Sequence, residues 1–128
     1  LLDWCKEKSI ICAVCTNKRE DLAIKLLKDI KLYKYFDFIA GADTFEYRKP
    51  DPRHLTNILD ILEIEKKNTI MLGDSETDAN TAKAANIHFV LIKDGYTEKN
   101  LTDIHHDHLI EDFEVVKDIA SNYLKIKE

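Results

Sequence analysis

Short apolar runs alternate with amphipathic stretches along the whole sequence, and this alternation limits the fold more than any other feature. Residues 9–15 (SIICAVC) are apolar at odd and even positions alike, as expected of a strand buried on both faces. Similar runs follow at residues 36–42, 69–72, 88–92 and 108–110. Helical patterns occupy residues 18–31, 51–62, 77–86 and 113–126. Because helices separate the strands, the strands should be parallel, and the sequence predicts a doubly wound α/β sheet.

Composition narrows the class of protein. The chain has 128 residues, about the length of one domain, and its 24 acidic and 19 basic residues give a net charge of −5. This acidic balance argues against a nucleic acid as the main partner. The longest apolar run, Ile10–Cys15, is far shorter than the about 20 residues needed to span a bilayer. No secretory signal is visible, and the 3 cysteines indicate reduced thiols, so we expect a cytoplasmic protein without a membrane partner.

Polar residues follow the first predicted strand, where a doubly wound sheet places its functional residues. Thr16 and Asn17 come directly after that strand. Their hydroxyl and amide groups can donate to phosphate oxygens, as can free N–H groups at the start of the next helix. Ordinary helix capping explains the same two residues, so both interpretations stay open.

A lysine follows the second predicted strand. Pro50 disfavours the helical conformation for Lys49, and Asp51 with Pro52 predicts the N-cap and first residue of a helix. A lysine held between a strand end and a helix start can neutralise charge on a phosphoryl group or a carboxylate. The alternative is a solvated lysine in a loop.

Two acids follow the third predicted strand. Gly73 permits a tight turn, after which Asp74 and Asp78 can face the same side of the first helical turn. Two carboxylates at this place suit Mg²⁺, which binds through one or two carboxylates and keeps its waters. The competing interpretation is a capping box formed by Ser75 and Asp78.

The three groups share one property, which is their place in the sheet. A hydroxyl, a lysine and an acid pair follow three successive parallel strands, so they should converge at one edge of the sheet. Helix caps that formed independently would not need to share an edge. Residues 93–96 (KDGY) follow the fourth strand, and they either line the rim of the same site or are only solvated.

The sequence resembles the haloacid dehalogenase-like superfamily, and within it the phosphoglycolate phosphatase-like branch. The resemblance is carried by residues 14–18 (VCTNK), 35–39 (YFDFI), 48–52 (RKPDP) and 70–78 (IMLGDSETD). It implies that Thr16 and Asn17 bind the transferring phosphoryl group and that Lys49 both binds it and steadies a phosphoaspartyl intermediate. It also implies that Asp74 ligates Mg²⁺, with Asp78 helping directly or through water. The implied activity is Mg²⁺-dependent hydrolysis of small phosphomonoesters through an aspartyl-phosphate.

One family element is absent from residues 1–128. The family carries its nucleophile in a D-x-D-G-T/S loop on a central strand, and no such motif occurs in this sequence. The sequence begins Leu1-Leu2-Asp3, as though inside a helix. We therefore expect residues 1–128 to be the C-terminal part of a single core domain without a cap domain and without the central strand. Two strand edges would then stay open, so the isolated chain should be marginal, aggregation-prone, or completed by another polypeptide segment, such as a missing N-terminal segment of the same enzyme.

Two other functions are compatible with parts of the pattern. A non-catalytic remnant or interaction module would keep the same fold, and only the sequence upstream of Leu1 distinguishes it from the enzyme. A phosphoacceptor receiver domain also uses acids, Thr and Lys-Pro at strand ends. In receivers the acids come first, whereas here Thr16 and Lys49 precede Asp74, so this order disfavours the receiver.

Cysteine and histidine groupings offer alternative sites of lower weight. Cys12 and Cys15 have C-x-x-C spacing, but they fall in an apolar strand, which favours buried structural thiols over a zinc or redox pair. His105, His106 and His108 have no matching cysteine or acid framework, which favours a polar surface loop over a metal site.

Overall fold

The computed structural model describes residues 1–93 and 103–125 and has the alternating order that the sequence predicts. The helices are α1 (Leu2–Glu7), α2 (Glu20–Asp29), α3 (Pro52–Leu62), α4 (Glu76–Ala85) and α5 (Val115–Tyr123). The strands are β1 (Ala13–Cys15), β2 (Phe38–Ala40), β3 (Ile70–Gly73), β4 (His88–Ile92) and β5 (His108–Ile110). Most of the predicted segment 93–96 lies outside the described residues.

All described strand pairs are parallel, which confirms the α/β prediction. The strands form a two-stranded sheet, β1-β2, and a three-stranded sheet, β3-β4-β5. Val14 lies opposite Ile39 in the first sheet, and Met71 lies opposite Phe89 in the second. The carboxyl ends of β1 and β3 both lead into the loops that carry the predicted site residues.

β1 is shorter than predicted, because only part of the apolar run has a ladder partner. The predicted strand covered residues 9–15, whereas β1 pairs with β2 only from Ala13 to Cys15. Ile11 lies before the ladder and is 49% exposed. Cys12 also precedes β1, so only Cys15 of the predicted strand cysteines lies in a strand, and all three cysteines are free thiols.

The starts of α3 and α4 are fixed by the capping residues that the sequence predicts. Asp51 accepts a hydrogen bond from the Arg53 N–H at 2.9 Å, and Pro52 occupies the first helical position. Ser75 accepts from the Asp78 N–H at 3.2 Å. These caps determine where each helix begins, and so they help to fix Lys49 and Asp74, which lie just before the two helix starts.

The principal core lies between the three-stranded sheet and helices α3 and α4. Its centre is formed by β4, where Phe89 and Leu91 are fully buried. Small residues on α4, such as Ala79 and Ala82, let that helix pack closely against the sheet. This core holds β3 and α4 together, and the loop between them carries the two predicted acids.

An apolar slot separates β1 from β3. The two strands do not pair with each other, and a cavity of about 390 Å³ lies between elements of the two sheets. Its walls include Ala13, Cys15, Ile70 and Leu72, together with side chains from α1, α3 and α5. The edges of β1 and β3 that border the slot have no strand partner among the described residues.

Candidate active site at the carboxyl ends of β1 and β3

A buried ion pair between Lys49 and Asp78 forms the centre of the candidate site. Lys49 Nζ lies 2.5 Å from Asp78 Oδ1, and each side chain is only 11% exposed. The pair joins the loop after β2 to the first turn of α4. Lys49 is therefore not the solvated loop lysine of the alternative interpretation, since its ammonium is held in one place.

Asp78 is held by its own turn as well as by the lysine. Its Oδ2 accepts a hydrogen bond from the Asp74 N–H at 3.3 Å. A Cβ atom at Gly73 would lie 2.5 Å from both Cβ and Oδ2 of Asp78. Gly73 is therefore required because the Asp78 side chain packs directly against its backbone.

Asn17 connects the end of β1 to the backbone of Lys49. Asn17 Oδ1 accepts from the Lys49 N–H at 3.1 Å, and Asn17 Nδ2 donates to the Lys49 carbonyl at 2.9 Å. The same Lys49 N–H lies 3.2 Å from His54 Nδ1. The predicted site residues after β1 and β2 are therefore in direct contact.

Thr16 lies at the same edge, directly after β1. Its N–H donates to the Ala40 carbonyl at 3.0 Å, which extends the contact between the ends of β1 and β2. Thr16 Oγ1 accepts from the Lys18 N–H at 3.1 Å, which leaves the hydroxyl proton available for another acceptor. Thr16 and Asn17 are not the cap of α2, which begins after Arg19 and whose Glu20 N–H donates to Asp43.

The two acids differ in what they offer a metal ion. Asp74 is exposed at the end of β3, whereas Asp78 is buried and engaged by Lys49. Within residues 1–93 and 103–125, no three His, Cys, Asp or Glu side chains are close enough together to hold a metal. Two carboxylates at this place could supply the partial ligand set that Mg²⁺ takes from proteins.

Cys15 borders the ion pair but is not activated by it. Burial raises the pKa of the Cys15 thiol to about 11, and the negative charge of Asp78 adds to this effect. The positive charge of Lys49 opposes the rise but does not overcome it. The thiol is therefore protonated near neutral pH and is not a nucleophile.

His54 contacts the candidate site and was not predicted from the sequence. This residue is completely buried in the first turn of α3, and burial followed by the Lys49 charge lowers its pKa, so the ring is neutral near neutral pH. Its position four residues before Ile58 places it on the apolar face of α3. That spacing was a signal of burial, but nothing in the sequence links His54 to Lys49.

A second cavity lies at the opposite edge of the sheet. It has a volume of about 470 Å³, and Lys66, Lys83, His88, His105 and Tyr123 contribute to its walls. None of the predicted site residues lines it.

The predicted histidine loop is only partly a loop. His108 lies in β5, and its Nε2 is 3.0 Å from His88 Nε2 at the start of β4. His105 and His106 precede β5.

These features define a class of protein: a parallel α/β domain with a lysine, a hydroxyl and an acid pair at the carboxyl edge of its strands. Comparisons with known proteins give the family. The family model described as "Haloacid dehalogenase-like hydrolase" matches residues 1–92. The chain belongs to the haloacid dehalogenase-like hydrolase family.

Curated relatives of the chain are named phosphoglycolate phosphatases. The chain is 40% identical to the phosphoglycolate phosphatase of Mesorhizobium japonicum over 83% of its own length and 47% of that protein. It is 38% identical to the corresponding protein of Agrobacterium fabrum over 88% of its own length and 48% of that protein. The chain therefore spans about half the length of the curated relatives it matches.

Solved structures agree with the family and the fold. A HAD-superfamily hydrolase of subfamily IA from Geobacter sulfurreducens superposes with a TM-score of 0.78 at 26% identity, covering 92% of this chain and 56% of that one. A predicted phosphoglycolate phosphatase from Haemophilus somnus gives 0.88 at 24% identity, covering 92% and 53%, and shows the fold alone. In the described part of the chain, no helix is both long and apolar enough to cross a membrane.

Proposed function

We propose that residues 1–128 supply the phosphoryl-binding half of a phosphatase that hydrolyses small phosphomonoesters. Phosphoglycolate is the substrate we favour, because the Mesorhizobium and Agrobacterium relatives are named for it. The observation that carries the proposal is the buried Lys49–Asp78 ion pair at the carboxyl ends of β1 and β3. A cation fixed at the carboxyl end of a strand can stabilise the negative charge of a transferring phosphoryl group.

Each predicted residue has a role in this proposal. Thr16 donates a hydrogen bond from its hydroxyl group to a phosphoryl oxygen. Lys49 neutralises charge on the phosphoryl group and on the acyl phosphate. Asp74 is a ligand of Mg²⁺, and Asp78 holds Lys49 and contributes to the metal site directly or through water. When bound, Mg²⁺ neutralises charge on the phosphate oxygens. Asn17 was predicted as a phosphate ligand, and its amide is already engaged with Lys49.

The covalent step requires a carboxylate that residues 1–128 do not provide through the family motif. In the proposed reaction this carboxylate attacks phosphorus, the bond from phosphorus to the alcohol oxygen breaks, and that oxygen takes up a proton. Water then hydrolyses the acyl phosphate, which releases inorganic phosphate and restores the carboxylate. The slot between β1 and β3 suits a strand that carries the carboxylate, because its walls are apolar and two strand edges border it. We propose that a segment outside residues 1–128 fills this slot in a cytoplasmic enzyme.

The experiment that tests this proposal measures hydrolysis of 4-nitrophenyl phosphate and phosphoglycolate by the full-length natural polypeptide that contains residues 1–128. We expect Mg²⁺-dependent turnover that Asp74→Asn and Lys49→Ala largely abolish. Asn80→Ala, on the exposed face of α4, is the matched control and should keep normal activity. Urea unfolding of each variant separates loss of chemistry from loss of folding.

The outcomes separate the enzyme from a non-catalytic remnant. Absence of turnover in the wild-type polypeptide would favour the remnant. Normal turnover in both site variants would overturn the roles given to Asp74 and Lys49.

A further inference from the structure

The backbone of Lys49 is held on both of its polar groups by a side chain 32 residues away. Asn17 Oδ1 accepts a hydrogen bond from the Lys49 N–H at 3.1 Å, and Asn17 Nδ2 donates one to the Lys49 carbonyl at 2.9 Å. Because Lys49 offers one donor and one acceptor, only one orientation of the Asn17 amide satisfies both. The side chain of Asn17 thus pairs with Lys49 as a second peptide group would.

His54 adds a contact from the other side of the same N–H. Its Nδ1 lies 3.2 Å from the Lys49 nitrogen, so that the N–H is shared between Asn17 Oδ1 and His54 Nδ1. To accept this bond, Nδ1 must be unprotonated, which places the ring proton on Nε2. His54 Nε2 is buried and has no hydrogen-bond partner among the described residues.

The imidazole has little freedom to move. His54 is 0% exposed, and its ring packs edge-on against Phe45 with 5.9 Å between ring centres. A buried ring on the first turn of a capped helix is a rigid reference point for the strand-end loop. The loop that carries Lys49 is therefore attached both to the end of β1 and to the start of α3.

We propose that Asn17 and His54 are positioning residues, which fix the backbone of Lys49 so that its ammonium is already in place beside Asp78 when the phosphoryl group arrives. This proposal rests on the proposed function for the role of Lys49. A long lysine side chain loses conformational entropy when it is ordered. Because the Lys49 backbone is already fixed in the folded protein, less of this entropy has to be lost during the reaction. It also assigns Asn17 to Lys49 and not to the substrate phosphate.

Kinetics of the full-length natural polypeptide separate positioning from phosphate binding. We expect Asn17→Ala and His54→Leu to lower kcat by about 10- to 100-fold, with a smaller change in KM and in competitive inhibition by inorganic phosphate. His54→Asn keeps an acceptor close to the place of Nδ1 and should recover most of kcat. Asn80→Ala is the matched control for Asn17→Ala.

Two kinetic results would overturn the proposal. If Asn17→Ala weakened phosphate inhibition as much as it lowered kcat, Asn17 would be a phosphate ligand. If His54→Leu lowered the free energy of unfolding but left kcat of the folded enzyme unchanged, His54 would serve only the core.

A second measurement does not depend on activity. Pulse labelling of the same full-length polypeptide with acetic anhydride, read by mass spectrometry, reports how accessible the Lys49 amine is. We expect slow labelling of Lys49 relative to the exposed Lys25 in the wild type and in His54→Asn, and faster labelling in Asn17→Ala and His54→Leu. Unchanged labelling of Lys49 in both Asn17→Ala and His54→Leu would contradict the proposal. If the wild type lacked phosphatase activity, the proposed function would fail while this measurement still decided whether Asn17 and His54 hold Lys49 in place.

Discussion

The site residues engage one another through direct hydrogen bonds and an ion pair. Asp78 accepts from Lys49 through one carboxylate oxygen and from the Asp74 N–H through the other. Lys49 is bound in turn by Asn17 and His54 through its backbone. Such a network orders the lysine in advance, which is what electrostatic stabilisation of a phosphoryl group requires.

A substitution at Gly73 tests how closely this network is packed. Gly73→Ala would place a methyl group 2.5 Å from Asp78 Cβ and Oδ2, so the Asp78 side chain must move. We expect the free energy of unfolding to fall by about 1–3 kcal/mol, as for other overpacked sites, together with a loss of phosphatase activity. Urea unfolding of the full-length polypeptide measures the change. Ala84→Ser, on the exposed face of α4, is the control, and equal stability of the two variants would contradict the packing argument.

The pH dependence of stability tests the state of His54. Burial and the Lys49 charge lower its pKa below the unfolded value of 6.5, so the unfolded chain binds the proton more readily. The contribution of His54 to stability is therefore present above pH 6.5 and is lost as pH falls below it. Burial also lowers the pKa of His88, so His88 contributes to the pH dependence of wild-type stability as well. The contribution of His54 is therefore the difference between the wild-type and His54→Asn stability profiles.

We expect urea midpoints measured from about pH 8 down to about pH 5 to fall less steeply in His54→Asn than in the wild type. Identical profiles for the two proteins would show that His54 titrates normally and is not a buried neutral acceptor.

At the scale of elements, local signals predicted the helix starts beside the candidate site, whereas tertiary contacts set the length of β1 and the contacts between loops. The caps at Asp51 and Ser75 are local features, and the structure has both as predicted, whereas Gly73, which was predicted to form the turn, is the last residue of β3 and pairs with Leu91. The length of β1 could not be read from residues 9–15, because a strand ends where its partner ends. The contact of Asn17 with Lys49 joins residues 32 apart, and no periodicity reports such a pair.

The open edges of β1 and β3 predict how the 128-residue chain behaves by itself. Ala13 and Leu72 are exposed along the slot, and unpaired strand edges promote association. We expect residues 1–128 alone to bind a hydrophobic dye and to self-associate in sedimentation experiments, whereas the full-length natural polypeptide should do neither. A monomeric chain of 128 residues with a cooperative thermal transition would contradict this expectation.

At the scale of the whole molecule, this chain covers about half the length of the Mesorhizobium and Agrobacterium phosphatases. The half that it covers contains the lysine, the hydroxyl and the two acids at one edge of the sheet. It also contains a cavity of about 470 Å³ at the opposite edge, whose walls include lysines, histidines and Asp107 and which is the alternative place for an anion. The central claim is that the phosphoryl group binds at the edge that carries Lys49, at the carboxyl ends of β1 and β3.

A crystal structure of the full-length natural polypeptide soaked with orthovanadate, a mimic of the transferring phosphoryl group, tests this claim most directly. We predict vanadate at the carboxyl ends of β1 and β3, with its oxygens within hydrogen-bond distance of Thr16 Oγ1 and Lys49 Nζ. Vanadate bound at the opposite edge, beside Lys83 and His88, with the Lys49–Asp78 pair untouched, would contradict it.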